Sequence, residues 1–470
     1  MTTEEALPEG WTKTTLGEIS IVKMGQSPNG KSYNKEKEGY LLIGGASDLG
    51  DIYPSPKQYT NEATKLSKTN DIIICIRATI GRLNLSDKVY CLGRGVAGIE
   101  VNANVEAKFI WYSLMNSKAY LLKNSTGTTF QQVSSPTLKK LPIVYPTSKE
   151  TQQAIVNKIE NLFDEINEGI GRLKTAAQQI QQYRQSLLKN AFNGELTKEW
   201  RSKHADTLPS ENELLTQIQT TREKHHAQQL ADWQTAVSQW EQNGKEGKKP
   251  SKPKAPTQAV KFEENFADLP KGWLESSLGD TTDVFVGSTP SRKNNEYWDG
   301  DISWVSSGEV NFSNIFETKE KITNLGLSNS STNIHPIGTV MLAMIGEGKT
   351  RGQAGILKIE ACHNQNTAAI RVNKKYLLSE YLYYFFMFNY EQTRRIGSGN
   401  NQKALNKTII ENMSFPICSL TEQTQIVAIL ETKLTACDQL ADELAKQLKQ
   451  AELLKQAVLK AAFSGSLLDK

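Results

Sequence analysis

The chain is poor in the residues that usually do chemistry. Its 470 residues include only five cysteines and five histidines. The cysteines (Cys75, Cys91, Cys362, Cys418 and Cys437) are scattered and odd in number, and no Cys-x-x-Cys occurs. That pattern argues against a disulfide framework and against a zinc ribbon. The histidines (His204, His225, His226, His335 and His363) show no ligand spacing, and His225-His226 falls in a polar stretch that reads as a solvated helix face. No apolar run approaches the ~20 residues that a bilayer-crossing helix needs. The opening Met1-Thr2-Thr3-Glu4-Glu5 lacks the basic and apolar regions of a secretory signal. A reducing cytoplasm, with no membrane, is the expected setting. The net charge is only +4, so any grip on nucleic acid needs localised cations or a partner that supplies the rest.

Catalytic motifs are missing as well. No Asn-Pro-Pro-Tyr or Asp-Pro-Pro-Tyr occurs, so the catalytic loop of an amino-methyltransferase is absent. No Gly-x-Gly-x-x-Gly follows a strand, and no Ser/His/Asp arrangement can be argued. Ala343-Met344-Ile345-Gly346-Glu347-Gly348-Lys349-Thr350 fits a relaxed phosphate loop, but its first glycine is missing. A phosphate loop also needs a helix to follow it. Arg351–Ile359 reads instead as a turn and another strand. The expectation is a non-catalytic chain with no metal site and no cofactor of its own.

What is present is a repeat. Gln152–Leu196 and Gln423–Leu467 align without a gap at an offset of 271. Both carry β-branched pairs near their starts (Ile155-Val156, Ile426-Val427) and similar ends (Leu188-Lys189-Asn190-Ala191-Phe192, Leu459-Lys460-Ala461-Ala462-Phe463). Leu7-Pro8-Glu9-Gly10-Trp11 and Leu269-Pro270-Lys271-Gly272-Trp273 open two halves at an offset of 262, and Cys91 pairs with Cys362 at 271. The repeated unit is therefore a globular part followed by a long helix.

The globular parts read as mixed, with strands prominent. Asp71–Ile76 and Thr339–Ile345 suit buried strands between glycine-marked turns. One helix is predicted in each part, at Lys108–Asn116 and Ser379–Asn389. Tyr381-Leu382-Tyr383-Tyr384-Phe385-Phe386 could stack on bases, but its continuous apolar character favours a core-facing helix.

The long helices carry a 4–3 apolar spacing. Ile159, Phe163, Ile166, Ile170, Leu173, Ile180 and Leu187 form one seam, and Leu430, Leu434, Leu444, Leu448 and Val458 the other. Basic residues interrupt both seams at the same place, Arg184 and Lys455. Such a spacing predicts a coiled coil, with antiparallel pairing favoured. The expected organisation is a globular domain at 7–148, a long helix at 149–196, a charged helix and basic linker at 197–268, a second globular domain at 269–420 and a second long helix at 421–467. Within the insert, Glu211–Gln242 reads as the charged helix. The fold class is α+β, with two strand-rich domains, an antiparallel pair of long helices and an internal pseudo-twofold repeat.

The remaining chemistry is recognition. Arg and Lys suit guanine edges in the major groove, and Asn and Gln suit adenine. The loops of the first half offer Gln26, Lys31, Arg77, Arg82, Arg94, Gln131 and Gln132. Those of the second offer Arg292, Lys293, Lys349, Arg351, Gln365, Asn366, Asn400, Asn401, Gln402 and Lys403. Plain polar loop chemistry is the competing explanation at each position.

This order of elements resembles the specificity (S) subunit of type I restriction–modification systems. Gly287-Ser288-Thr289-Pro290-Ser291 followed by Tyr297-Trp298-Asp299-Gly300-Asp301-Ile302-Ser303-Trp304-Val305 is similar to the opening of that family's target-recognition domains. Gly25-Gln26-Ser27-Pro28 with Gly39–Gly45 looks like another version of it. Phe415-Pro416-Ile417 through Val427 resembles the junction into a spacer helix, and Leu187–Thr197 resembles its end. Two departures stand out: the junction Pro146–Gln153 is one residue out of step with its counterpart, and the central insert is long. The resemblance implies that each domain reads one half of a bipartite site in double-stranded DNA, and that the paired helices set the spacing. It further implies docking of two modification (methyltransferase) subunits that carry S-adenosylmethionine and methylate adenine N6, and restriction subunits that use ATP. Two alternatives stay open: a specificity subunit of a methylation-only complex, and a non-DNA coiled-coil scaffold.

Overall fold

The computed structural model describes residues 7–127, 131–246, 249–253, 255, 266, 268–346, 348–396 and 404–468. It divides into two compact units, Met1–Ala177 with Asp442–Lys470, and Gln178–Ala441. Each unit therefore takes its globular part from one half of the sequence and part of its helical frame from both halves.

In the first unit an antiparallel sheet runs in the order Ser20–Met24, Val96–Val101, Ile72–Cys75, Leu83–Leu85. The isoleucine run forms the buried strand that its apolar character predicts, with Ile72, Ile73 and Ile74 at most 1% exposed. Tyr40–Ile43 and Cys91–Leu92 pair in parallel in a second small sheet. Trp11–Thr15 and Pro142–Pro146 form a third pairing that brings the two ends of the globular part together. The second unit repeats the plan. Thr282–Val286, Thr367–Val372, Val340–Ala343 and Ala354–Leu357 are neighbours in one sheet, extended by Ser313–Ile315. Trp298–Val305 pairs in parallel with Cys362–His363, and Leu274–Ser277 pairs with Ser414–Ile417. Cys91 and Cys362, matched by offset in the sequence, occupy the same strand and are both fully buried.

The predicted helices form at Ala107–Asn116 and Ser379–Phe388. Tyr381, Phe385 and Phe386 are buried, so the aromatic run serves the core and is no stacking platform. The long helices are each 44 residues, Lys149–Phe192 and Leu420–Phe463, so their ends stop about four residues short of the expected boundaries. In the first unit Ile155, Val156 and Ile159 share a core with Val458, Leu459 and Ala462. The second unit mirrors this, with Leu187, Leu188 and Ala191 beside Ile426, Val427, Leu430 and Leu434. The start of one helix thus meets the end of the other in each unit, which makes the pairing antiparallel. Ile159, Ile170, Leu187, Leu430, Leu434 and Val458 are buried; Phe163, Ile166, Leu173, Ile180, Leu444 and Leu448 are half-buried.

The signature that ends each half meets the one that opens the other. Beyond the first long helix, Gly194 turns with φ +79° against Pro270; beyond the second, Gly465 turns with φ +84° against Pro8. A Cβ at either glycine would lie 2.2 or 2.3 Å from the proline ring, so the helix end and the Leu-Pro-x-Gly-Trp opening fit only with glycine there. At the helix starts, the buried Gln152 side chain bonds the Glu106 N–H and the Pro146 carbonyl. Gln423, its counterpart, bonds the Leu378 N–H and the Tyr376 and Cys418 carbonyls.

The central insert is part of the second unit. Its charged helix spans Glu211–Gln242, begins in a capping box at Ser210 and Glu213, and buries Leu214 and Ile218 in the second unit's core. A short helix, Lys198–Lys203, precedes it and carries Arg201. Arg201 pairs with Glu422 at 2.6 Å, and the same carboxylate, 2% exposed, accepts from Thr197 Oγ1 and Trp273 Nε1. Among the described residues, no helix is long and apolar enough to cross a membrane.

Candidate nucleic-acid interface

The ends of the central strands build a rim on each globular part. In the first unit the chain leaves Ser20–Met24 through Gly25 and Gln26, and the Gln26 N–H donates to the Leu92 carbonyl at 2.8 Å. One loop across, the Arg94 N–H reaches Ser27 Oγ at 3.4 Å. The Gly95 carbonyl then accepts from Ile76 N–H, and Val133 N–H donates to the Ile76 carbonyl, both at 2.9 Å. Arg77 bridges to Gln132 alongside. Gln26, Arg94, Arg77 and Gln132 therefore stand on one continuous edge, and all four are exposed.

The second unit builds the same edge from other residues. Ser288 N–H donates to the His363 carbonyl at 3.0 Å, Met344 N–H to the Asn366 carbonyl and Leu405 N–H to the Met344 carbonyl, both at 2.9 Å. Thr289 Oγ1 donates to Gln365 Oε1 at 2.5 Å. Gly25 and Gly287 are crowded by the same loop: a Cβ would sit 2.9 Å from the Leu92 carbonyl oxygen and 2.2 Å from that of Gly93 in one unit, and 2.0 Å from that of His363 and 2.7 Å from that of Asn364 in the other. Backbone is conserved between the two rims while side chains differ. Gln26, Ser27 and Arg94 are replaced by Ser288, Thr289 and Gln365.

The predicted contact residues fall into distinct settings. Lys31, Arg77, Arg94, Lys293 and Lys349 are exposed, and their charged groups meet no hydrogen-bond or ion-pair partner among the described residues. Gln131 is exposed beside Gln132, and Asn366 is half-buried beside Gln365. Arg82 spends its guanidinium on the carbonyls of Ala46, Leu49 and Gly50, which makes it a staple of that turn. Arg351 is 8% exposed and donates to the Arg394 carbonyl. Arg292 is held by Glu320 and lies 3.8 Å over the Trp298 ring. In the same cluster Trp298 and Trp304 donate their indole N–H groups to Ser291 and Ser288, fixing the loop that carries Thr289. Asn400, Asn401, Gln402 and Lys403 lie outside the described residues. The phosphate-loop-like stretch runs, as read, into a turn and the strand Ala354–Leu357.

Charge behind the rims also differs. In the first unit Glu100 bonds Lys23 at 2.8 Å and Lys68 at 2.5 Å, and these bonds hold its carboxyl below the usual range. Burial pushes the neighbouring Asp71 carboxyl up, against the Lys68 N–H bond and the Lys23 charge. At the position of Glu100 the second unit has Arg371, which stacks 4.6 Å over Phe285 and donates from Nε to His335 Nδ1 at 3.0 Å. An arginine only donates, so His335 accepts at Nδ1 and carries its proton on Nε2. Burial, reinforced by His363 and Arg371, pulls His335 down to about 3; burial pulls His363 down to about 4. Neither histidine nor the hydroxyls Ser27 and Thr289 was singled out in the sequence. The fixed offset that aligns 91 with 362 was the one signal that could have placed Arg94 and Gln365 in register.

Comparison with known proteins agrees with the duplicated plan. A family model described as type I restriction modification DNA specificity domain matches twice, at residues 8–174 and 270–450. The insert lies outside both matches. A putative type I restriction enzyme MjaX specificity subunit of Methanocaldococcus jannaschii is 36% identical over 161 residues, which cover 34% of this chain and 38% of that protein. The MjaIX specificity subunit of the same organism is 29% identical over 202 residues, 42% of this chain and 44% of that protein. The chain thus spans less than half the length of these relatives in its matches. A chain from a structure concerned with complex assembly and conformational transition of the type I R-M system shares the fold, with TM-score 0.68 and 17% identity, covering 98% of this chain and 100% of that one. With its two family matches taking in most of its length, the chain belongs to the type I restriction modification DNA specificity domain family.

Proposed function

We propose that this chain is the DNA sequence-specificity subunit of a type I restriction–modification complex, each globular part reading one half of a bipartite site. The observation that carries the reading is the pair of rims: one backbone edge built twice, bearing different polar side chains. Such a pair suits recognition of two unlike half-sites, because base edges are read by side-chain donors and acceptors while the backbone sets their register. The antiparallel helices supply the spacing and the docking surface for two modification subunits, and restriction subunits complete the complex. Methyl transfer to adenine N6 from S-adenosylmethionine, and ATP-driven cleavage, belong to those partners. Partners that share the phosphate contacts are consistent with a net charge of only +4. Two tethered readers act at high effective concentration, so each can be weak alone.

The test is to produce the full chain with its modification subunits and map methylated adenines across a host genome. A two-part motif with a fixed gap is expected. Methylation without sequence preference, or none, would overturn the proposal.

A further inference from the structure

The structure assigns a base-reading role to Gln365 in the second unit and to Arg94 in the first; the Thr289 hydroxyl holds the Gln365 side chain, and the Ser27 hydroxyl meets the Arg94 backbone. This inference rests on the proposed DNA-reading function and specifies its contacts. Three observations place the two residues at one site. They share the 271 offset that matches Cys91 with Cys362, and each lies two residues beyond the short parallel strand, Cys91–Leu92 or Cys362–His363. The residue after each accepts the same backbone hydrogen bond, Ile76 N–H to Gly95 and Met344 N–H to Asn366, both at 2.9 Å. The hydroxyl neighbours also correspond: Ser27 Oγ accepts the Arg94 N–H, and Thr289 Oγ1 donates to Gln365 Oε1.

The chemistry of the two side chains then differs in a readable way. Thr289 Oγ1 donates to one lone pair of Gln365 Oε1 and so tethers the amide on its oxygen side. The second lone pair and the Nε2 hydrogens remain as an acceptor beside donors. That pair matches the N6 donor and N7 acceptor of adenine in the major groove. Arg94 offers donors only, which match the two acceptors N7 and O6 of guanine. Both side chains are exposed on the rim, so neither needs refolding to meet a base. The loop that carries Thr289 is pinned from behind by the indoles of Trp298 and Trp304, at 3.2 and 3.1 Å. Gln365 therefore reads as an adenine contact and Arg94 as a guanine contact, one in each half-site.

The experiment is a set of exchanges in the full chain produced with its modification subunits, read by genome-wide mapping of methylated adenines. Gln365→Arg is expected to move one base pair of one half-site from A·T toward G·C, and Arg94→Gln to move one base pair of the other half-site the opposite way. The preference at the altered base pair should change about 5- to 150-fold, the range that a bidentate contact supplies. Thr289→Val should broaden the preference at the base pair that Gln365 reads, and Thr289→Ser should restore it; a merely structural threonine would lower methylation everywhere without touching one position. An unchanged motif in both exchanges, with wild type showing a two-part motif, overturns this inference and leaves the proposed function standing. A change in both half-sites from a single exchange also overturns it. A wild-type chain that directs no sequence-specific methylation overturns the proposed function and this inference together.

Discussion

Acid should weaken the second unit through two histidines. His335 and His363 are fully buried with ring centroids 4.9 Å apart, and Arg371 donates to His335 Nδ1. Nε2 of each ring has no hydrogen-bond partner among the described residues. The folded values are about 3 and about 4, against 6.5 for an unburied imidazole. Both rings are therefore neutral in the folded chain, while the unfolded chain takes up protons below pH ~6.5. Stability from this source is complete above that pH and is lost as pH falls toward the folded values. At pH 5 both folded values are still passed by at least a unit, so each site costs about 1.5 × 1.36, or roughly 2 kcal/mol, and the pair roughly 4 kcal/mol relative to pH 7.5. Hydrogen exchange of the Thr367–Val372 strand, corrected for intrinsic pH dependence, reads this unit by itself. The paired substitution His335→Asn with His363→Asn should remove that part of the pH dependence. An identical pH slope in wild type and variant would refute the reasoning, since every other titrating group is common to both.

Arg201→Met should destabilise the second unit by about 3–5 kcal/mol, because it leaves the Glu422 carboxylate buried without its cation; urea unfolding followed by the same exchange probe measures it, and a loss below ~1 kcal/mol would show that Thr197 and Trp273 suffice. Gly194→Ala and Gly465→Ala should each cost about 1–3 kcal/mol, from positive φ and the collision with Pro270 or Pro8, and the costs should add because they fall in different units. Deleting Glu211–Gln242 should uncover the core around Leu214 and Ile218 and lower protection in the second unit, by roughly 3–6 kcal/mol for two side chains, while amides of Ile72–Cys75 keep theirs. Removing one heptad from each long helix should shorten the preferred gap between half-sites by about 3 base pairs, from ~1.5 Å per residue and ~3.4 Å per base pair. Methylome mapping checks that change, and unaltered spacing would sink the ruler role.

Periodicity and repetition made the scaffold legible in the sequence. The 4–3 seams, the matched offset of 271 and the isoleucine strand each express a regular backbone whose buried face recurs at a fixed interval. The Leu-Pro-x-Gly-Trp openings and the helix ends were visible as repeats. That each glycine at a helix end sits against the proline opening a unit emerged only in three dimensions, because the two signatures lie far apart along the chain. The candidate site was less legible. Arg82, Arg292 and Arg351 look like Arg77 and Arg94 in a sequence, and only geometry shows the first three bonded to carbonyls or to Glu320. Interrupting seam residues behave similarly. Arg184 meets Asp438, whereas Lys455 faces Glu452 of its own helix, and the residue matching Asp438 is Asn167.

The sequence by itself determined the number of units, their repeat, the two matched helices and the insert's charged helix, because local spacing dictates which face of an element is apolar. Tertiary structure alone decided that the insert belongs to the second unit, that His335 and His363 are sealed together, and that Gln26, Arg77, Arg94 and Gln132 share an edge. Those facts depend on which loops meet across a sheet, and hydrogen bonds between residues tens of positions apart leave no periodic trace in a chain.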